Sequence, residues 1–363
     1  MIDLEKLNAA WVSLKRKTKS VLIKLESLIA KRSLHKSSKF CEWKKLEKCK
    51  VLFHRDYRGY TGGHLKVYDY YRHLIDIGCD VDIFFTSRSV WDNIANVNPW
   101  KEETENIVSE YNPKNYDILF IEGMDWAYLE PGVEEIVPVI NLVQGFRQTN
   151  KENTQLYNFL FRKATRIGVS NEVAESMRLT NDANGPIHTI PCGINLHEIS
   201  VNKTNDIYIM GKKNTKMALE LYEYFTGLGY RTICSTKNIL RDENLDHMAK
   251  SSISVLLSSP GINEGFFLPA LESMTYSDIT IVPDCIGNRS FCFDGKNCLM
   301  PKKYTKDHII KKVELAFSIL KDYKLLNKYK SAALLTVNRY SIEAERVAFY
   351  KILNEVFINQ GKV

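Results

Sequence analysis

Residues 253–272 read Ile-Ser-Val-Leu-Leu-Ser-Ser-Pro-Gly-Ile-Asn-Glu-Gly-Phe-Phe-Leu-Pro-Ala-Leu-Glu. A short apolar run, Ile253 to Leu257, gives way to a polar turn, and the segment after it opens a helix. This is the pattern of a buried strand feeding a helix: a strand covered on both faces is apolar throughout, and the turn takes Ser, Pro, Gly and Asn. Glu264 and Glu272, eight positions apart, bracket the turn and the helix start. Backbone amides at a helix start lack intrahelical partners and carry the positive end of the helix dipole, so they make a site for phosphate. Glu272, on the helix, can face the same site and accept hydrogen bonds from sugar hydroxyls. The plainer reading makes Glu264 a helix-entry charge and Glu272 a solvated helix residue.

Outward from this stretch the same alternation covers the chain from residue 50. Apolar runs occur at Val51 to His54, Val81 to Phe85, Asp117 to Ile121, Val139 to Val143, Ile167 to Ser170 and Ile187 to Ile190. They resume at Ile207 to Met210, Thr232 to Cys234, Ile253 to Leu257 and Ile279 to Val282. Helical patterns separate them, the signature of parallel sheets. Two sheets accommodate the runs better than one, and the polar stretch His197 to Asp206 reads as the linker between them. The expected organisation is an N-terminal segment over 1–49, a first α/β domain over 50–203, a second over 204–340, and a helix over 341–363 crossing back to the first domain. In open parallel sheets ligands bind beyond the carboxyl ends of the strands, so two facing domains make a cleft whose residues follow strands.

Several further segments agree in order with one family. Arg166-Ile-Gly-Val-Ser-Asn-Glu-Val-Ala-Glu-Ser-Met177 has a strand, a serine turn and a helix; Ile190-Pro-Cys-Gly-Ile-Asn195 precedes the linker; Gly62-Gly63 follows the first strand. Asp284 to Pro301 carries Gly287, Asp294-Gly295 and Asn297. With Glu264 to Glu272 as an E-x7-E signature, residues 50 to 355 resemble the family 4 retaining glycosyltransferases, which have the GT-B fold of two facing Rossmann-like domains. The resemblance implies that Glu264 contacts a donor sugar, that Glu272 holds the nucleotide ribose, and that the backbone of Gly265, Phe266, Phe267 and Leu268 approaches sugar and pyrophosphate. Phe267 stands where the family usually has glycine, which bears on the donor sugar accepted.

When a sugar leaves a nucleoside diphosphate, a cation near the departing phosphate lowers the barrier. Lys212, Lys213 and Lys216 follow the run Ile207 to Met210 and are suited to it, with Lys212 and Lys216 as the leading candidates; the alternative is exposed loop charge. Gly62 and Gly63 let backbone come close to a phosphate or an acceptor, and His64 can donate to that phosphate. His54 and Gln144, at the ends of the first and fourth runs, are expected to point into the cleft, while His73 and His188 look structural. Asp80-Val-Asp82 sits where a strand begins, and no metal is required if lysines stabilise the leaving group. Retention without a carboxylate nucleophile implies front-face attack.

Composition bounds the reading. The chain has 363 residues, 44% of them apolar, 11% aromatic and 26% charged, the make-up of packed domains. G-x-G-x-x-G after the first run, G-x-x-x-x-G-K-[ST], H-E-x-x-H and G-x-S-x-G are all absent, which argues against dehydrogenases, P-loop proteins, zincins and hydrolases. The cysteines at 41, 49, 79, 192, 234, 285, 292 and 298 include no C-x-x-C pair and suggest free thiols in a reducing compartment. Of the net charge of +7, residues 1–50 supply +9, from 14 Lys/Arg against 5 Asp/Glu, and the remainder is −2. Leu4, Leu7, Trp11, Leu14, Thr18, Val21, Leu25 and Leu28 form an amphipathic helical seam with basic flanks. Such a helix suits an anionic membrane surface, a second copy of itself or the body of the protein.

The expected function is therefore transfer of a sugar, with retention, from a nucleotide-sugar donor to a hydroxyl of a glycan or lipid-linked glycan. The expected setting is cell-envelope or capsular polysaccharide assembly, in the cytoplasm or peripherally on the inner membrane face, with no cofactor beyond the nucleotide sugar as co-substrate. A non-catalytic glycan-binding or assembly scaffold of the same fold and a synthase of a phosphorylated disaccharide are the alternatives. No nucleic-acid partner is expected, because the basic residues form one tail and no stripe across the body.

Overall fold

Each apolar run is a β-strand in the computed structural model, which describes residues 44–59, 61–90, 98–196, 201–261 and 263–358. The seam Leu4 to Leu28 lies outside these residues, as does part of the expected linker. β1 (Lys50–Arg55), β2 (Asp80–Phe85), β3 (Ile118–Glu122), β4 (Val139–Val143), β5 (Thr165–Gly168) and β6 (Ile187–Thr189) form one sheet in the order β2-β1-β3-β4-β5-β6. β7 (Asn205–Met210), β8 (Thr232–Ser235), β9 (Ser251–Leu256) and β10 (Ile279–Ile281) form a second, in the order β10-β9-β7-β8. All pairings within the two sheets are parallel.

The connecting helices are α1 (Gly62–Ile77), α2 (Thr154–Asn158), α3 (Asn171–Arg178), α4 (Thr215–Gly227), α5 (Arg241–Lys250), α6 (Leu268–Tyr276), α7 (Lys306–Lys321), α8 (Tyr323–Val337) and α9 (Ile342–Ile358). No helix among the described residues is long and apolar enough to cross a membrane.

The second sheet shows why its strands are continuously apolar. Ile207 and Ile209 of β7 pack on one face with Ala218, Leu221 and Phe225 of α4 and Val313 of α7. Tyr208, between them, packs on the opposite face with Met248 of α5 and Ala270 and Leu271 of α6. Side chains alternate across a strand, so helices on both faces demand apolar residues at every position, each fully buried Ile or Phe being worth roughly 1.5–3 kcal/mol. In the first sheet Phe53 of β1 stacks on Phe120 of β3 at 4.5 Å.

α1 begins where Thr61, in extended backbone, accepts a hydrogen bond from the His64 amide, and it ends at Gly78 with φ 87°. Val67, Tyr70, Tyr71 and Leu74 form its buried stripe. At the chain's other end α9 packs against α1, and Tyr350 donates its hydroxyl to the His73 carbonyl at 2.7 Å. The carboxyl ends of both sheets lead into loops that meet at one cleft.

Candidate active site

On the first-domain side, the turn after β1 delivers Gly62, Gly63 and His64 as the first turn of α1. Gln144, directly after β4, donates from Nε2 to the Gly63 carbonyl at 2.9 Å. Arg55, the last residue of β1, is 1% exposed and donates to Asp125 Oδ2 at 2.5 Å and to His64 Nδ1 at 2.9 Å. Glu122, the last residue of β3, has Oε2 3.8 Å from the same guanidinium. Burial lifts the Glu122 carboxyl above the usual carboxylate range, while Arg55, Arg147 and Gln144 oppose the rise.

On the second-domain side, Glu264 is held by its backbone. Its amide donates to the Cys285 carbonyl at 3.0 Å, and its carbonyl accepts from Gly287 at 3.0 Å. A Cβ at Gly287 would lie 2.1 Å from that carbonyl oxygen, so only glycine permits the approach. Asn288 braces the loop by accepting from the Cys285 amide and donating to the Pro283 carbonyl. Ile286 within it has φ 66°, a left-handed conformation that a β-branched residue adopts only under strain. Lys213 Nζ is 2.6 Å from Glu264 Oε1. Glu272, buried in α6, takes Arg241 Nε on Oε1 at 2.9 Å. Burial lifts its carboxyl above the usual range and Arg241 works against the rise.

These walls enclose a cleft of about 680 Å³. Gly62, Gly63, His64, Gln144, Lys212, Glu264, Gly265, Phe266, Phe267, Leu268 and Glu272 all line it. Lys216 does not: Asn214 caps α4, which puts Lys216 in the exposed first turn of that helix, and the neighbouring Lys213 reaches the cleft instead. His54 is a second correction. It is fully buried against Phe84, Tyr111 and Tyr128 and does not line the cleft, while Arg55, one residue later, contacts His64. The helix expected to open near Glu264 begins only at Leu268, with Pro269 in its first turn, so Glu272 lies about one turn inside it. His73 belongs to a buried network between α1 and α9. Among the described residues no group of three or more His, Cys, Asp or Glu is placed to hold a metal ion.

No family sequence model matches the chain, and no curated protein matches it in sequence. Its three-dimensional structure does have solved counterparts. Sucrose-phosphate synthase from Thermosynechococcus elongatus superposes with a TM-score of 0.64 at 12% identity, covering 86% of this chain and 100% of that one. Anabaena HepE, solved with UDP and glucose, gives 0.60 at 12% identity, with 85% and 100% covered. A glycosyltransferase from Rickettsia africae gives 0.60 at 14%, with 85% and 98% covered. The fold is that of the GT-B glycosyltransferases.

Within the GT-B frame, the cleft residues that sequence reasoning passed over include Lys66, Glu122, Arg147, Lys237, Arg241 and Asn244. Glu122 ends β3, Arg147 follows β4, and Lys237, Arg241 and Asn244 follow β8; the strand-end rule that singled out Gln144 finds these five when extended a few residues. Charge in the cleft leans positive, with Arg147, Lys212, Lys213, Lys237 and Arg241 against Glu122, Glu264 and Glu272, the Lys66 ammonium being paired with Glu345 and Asp69. That balance suits an anionic ligand. Phe267 is 1% exposed and packs into the second-domain core, with Lys213 Nζ 5.5 Å from its ring centre.

Proposed function

We propose that the protein is a retaining glycosyltransferase that moves a sugar from a nucleotide-sugar donor to a hydroxyl of a glycan acceptor. The observation that carries this reading is the convergence of Glu264, Glu272, Lys212 and Lys213 on one cleft, opposite the Gly62-Gly63 turn. UDP and glucose bound to Anabaena HepE, a protein of the same fold, support a UDP-sugar donor. Glu272 accepts the ribose hydroxyls, and Lys212 and Lys213 meet the diphosphate together with the amides at the start of α6. Glu264 orients the sugar. The bond from the anomeric carbon to the phosphate oxygen breaks as the acceptor oxygen attacks from the same face. The acceptor proton passes to the departing phosphate, so neither a protein base nor a metal is needed.

Cell-envelope or capsular polysaccharide, built on a lipid-linked glycan, is the proposed setting. The basic seam Leu4 to Leu28 is the proposed contact with the inner membrane face or with a second copy. Deleting residues 1–40 then lowers sedimentation with anionic vesicles, or lowers molar mass, and leaves donor binding unchanged. The likeness to sucrose-phosphate synthase favours a second reading, in which the acceptor is a hexose phosphate and the product a phosphorylated disaccharide.

A screen of nucleotide sugars for release of free nucleoside diphosphate, with glycan and hexose-phosphate acceptors in separate arms, tests both readings; release with no donor rejects them. With the donor found, Glu272→Ala raises its dissociation constant about ten- to a hundredfold through loss of a charge-assisted acceptor. Lys213→Ala lowers turnover about tenfold to a thousandfold, whereas Lys216→Ala stays near wild type. The reverse order for the two lysines sinks the assignment of the leaving-group cation.

A further inference from the structure

Resting on that reading of the cleft, we propose that Arg55, braced by Asp125, is a positioning residue that fixes His64 with its ring proton on Nε2, as a hydrogen-bond donor to the diphosphate of the donor substrate. A guanidinium has donors and no acceptor, so the 2.9 Å contact from Arg55 Nη2 to His64 Nδ1 makes Nδ1 the accepting nitrogen. The proton of the neutral ring then sits on Nε2. Two further contacts set the ring's orientation. Tyr57, fully buried, meets it edge-on at 4.9 Å between centroids, and the His64 amide is tied to the Thr61 hydroxyl at the start of α1.

Arg55 itself cannot swing away. Asp125 takes its Nη1 at 2.5 Å, and the other Asp125 oxygen accepts from the Asp56 amide at 2.7 Å. Asp125 Oδ2 also accepts from the Glu122 amide at 2.9 Å, which ties this support to the end of β3. A buried ion pair contributes little to stability that an apolar pair of similar volume would not, so stability alone gives the fold little reason to bury Arg55 here. A ring nitrogen held as acceptor at a cleft wall is what this arrangement yields.

The test is long-range proton–nitrogen NMR of the His64 imidazole in the full chain, paired with calorimetric titration of UDP. Wild type shows the Nε2-protonated tautomer, and Arg55→Met shows a mixture with UDP affinity lowered about tenfold. His64→Asn loses as much, and His64→Gln, whose amide reaches nearer the Nε2 position, recovers most of the loss. An Nδ1-protonated wild type, an unaltered tautomer in Arg55→Met, or His64→Asn equal to wild type overturns the proposal. If Arg55→Met does not fold, the wild-type tautomer and the His64 pair decide alone, because His64 is only half-buried in a first helical turn. Absence of UDP binding in wild type rejects the reading of the cleft as a donor site and leaves the tautomer to judge Arg55.

Discussion

His54 shows how far one side chain can report on its surroundings. Its ring is fully buried, with Nδ1 2.9 Å from the Tyr111 hydroxyl. Burial, helped by the neighbouring Arg55 charge and resisted by Asp56, pushes its pKa down to about 3. Above the unfolded value of about 6.5 both states are neutral and no stability is lost. As pH falls below that value the unfolded chain takes up a proton that the folded chain refuses, and the loss grows until the folded group titrates near 3. Between pH 7 and pH 5 this one group removes about 2 kcal/mol. Urea unfolding at the two pH values should therefore show a drop in wild type larger by that amount than in His54→Gln. Parallel drops would mean that the ring is not held neutral.

At the scale of elements, α9 is fastened to α1 by charge as well as by apolar contact. Lys66 Nζ lies 2.8 Å from Glu345 Oε2 and 2.7 Å from Asp69 Oδ2, and it donates to the Gly193 carbonyl at 2.9 Å. Glu345 places its other oxygen 3.0 Å from His73 Nε2 and also accepts from the Gly193 amide. Burial disfavours the ionised carboxyl, yet Lys66 and His73 overcome it and hold Glu345 below the usual carboxylate range. Glu345→Ala leaves the buried Lys66 ammonium with Asp69 and the Gly193 carbonyl and takes the acceptor from the Gly193 amide and the His73 ring, and should cost about 3–5 kcal/mol in urea unfolding. A loss below 1 kcal/mol would show that Lys66 finds water or another partner.

At the scale of the whole molecule, closure of the cleft rests on backbone touching backbone. A Cβ added at Gly265 would lie 2.0 Å from the Gln144 carbonyl oxygen and 3.0 Å from Gly145 Cα. Neither neighbour is a side chain that could turn aside. Gly265→Ala must therefore part the loop after β9 from the loop after β4, opening the cleft between the two sheets. Small-angle scattering should record a larger radius of gyration for this variant, and UDP should bind more weakly. Identical scattering curves would show that the loops yield locally and that the domains stay closed.

What the sequence by itself determined is local. Continuous apolar runs bounded by turn residues marked the strands because burial on both faces leaves each position no other choice. The spacing of Glu264 and Glu272 and the glycines after β1 marked the cleft because strand ends and helix starts are written in neighbouring residues. Choices of face and partner needed the tertiary structure. A shift of one residue along a strand reverses the face, and with both faces of β1 buried the pattern carries no mark of which way His54 or Arg55 turns. Lys213 displaced Lys216 because the cap at Asn214 sets where α4 begins. Arg55 and Asp125 stand 70 positions apart, and Glu345 is 272 from His73. Pairs so distant meet only through the order of the strands and the return of the last helix, which no local pattern encodes.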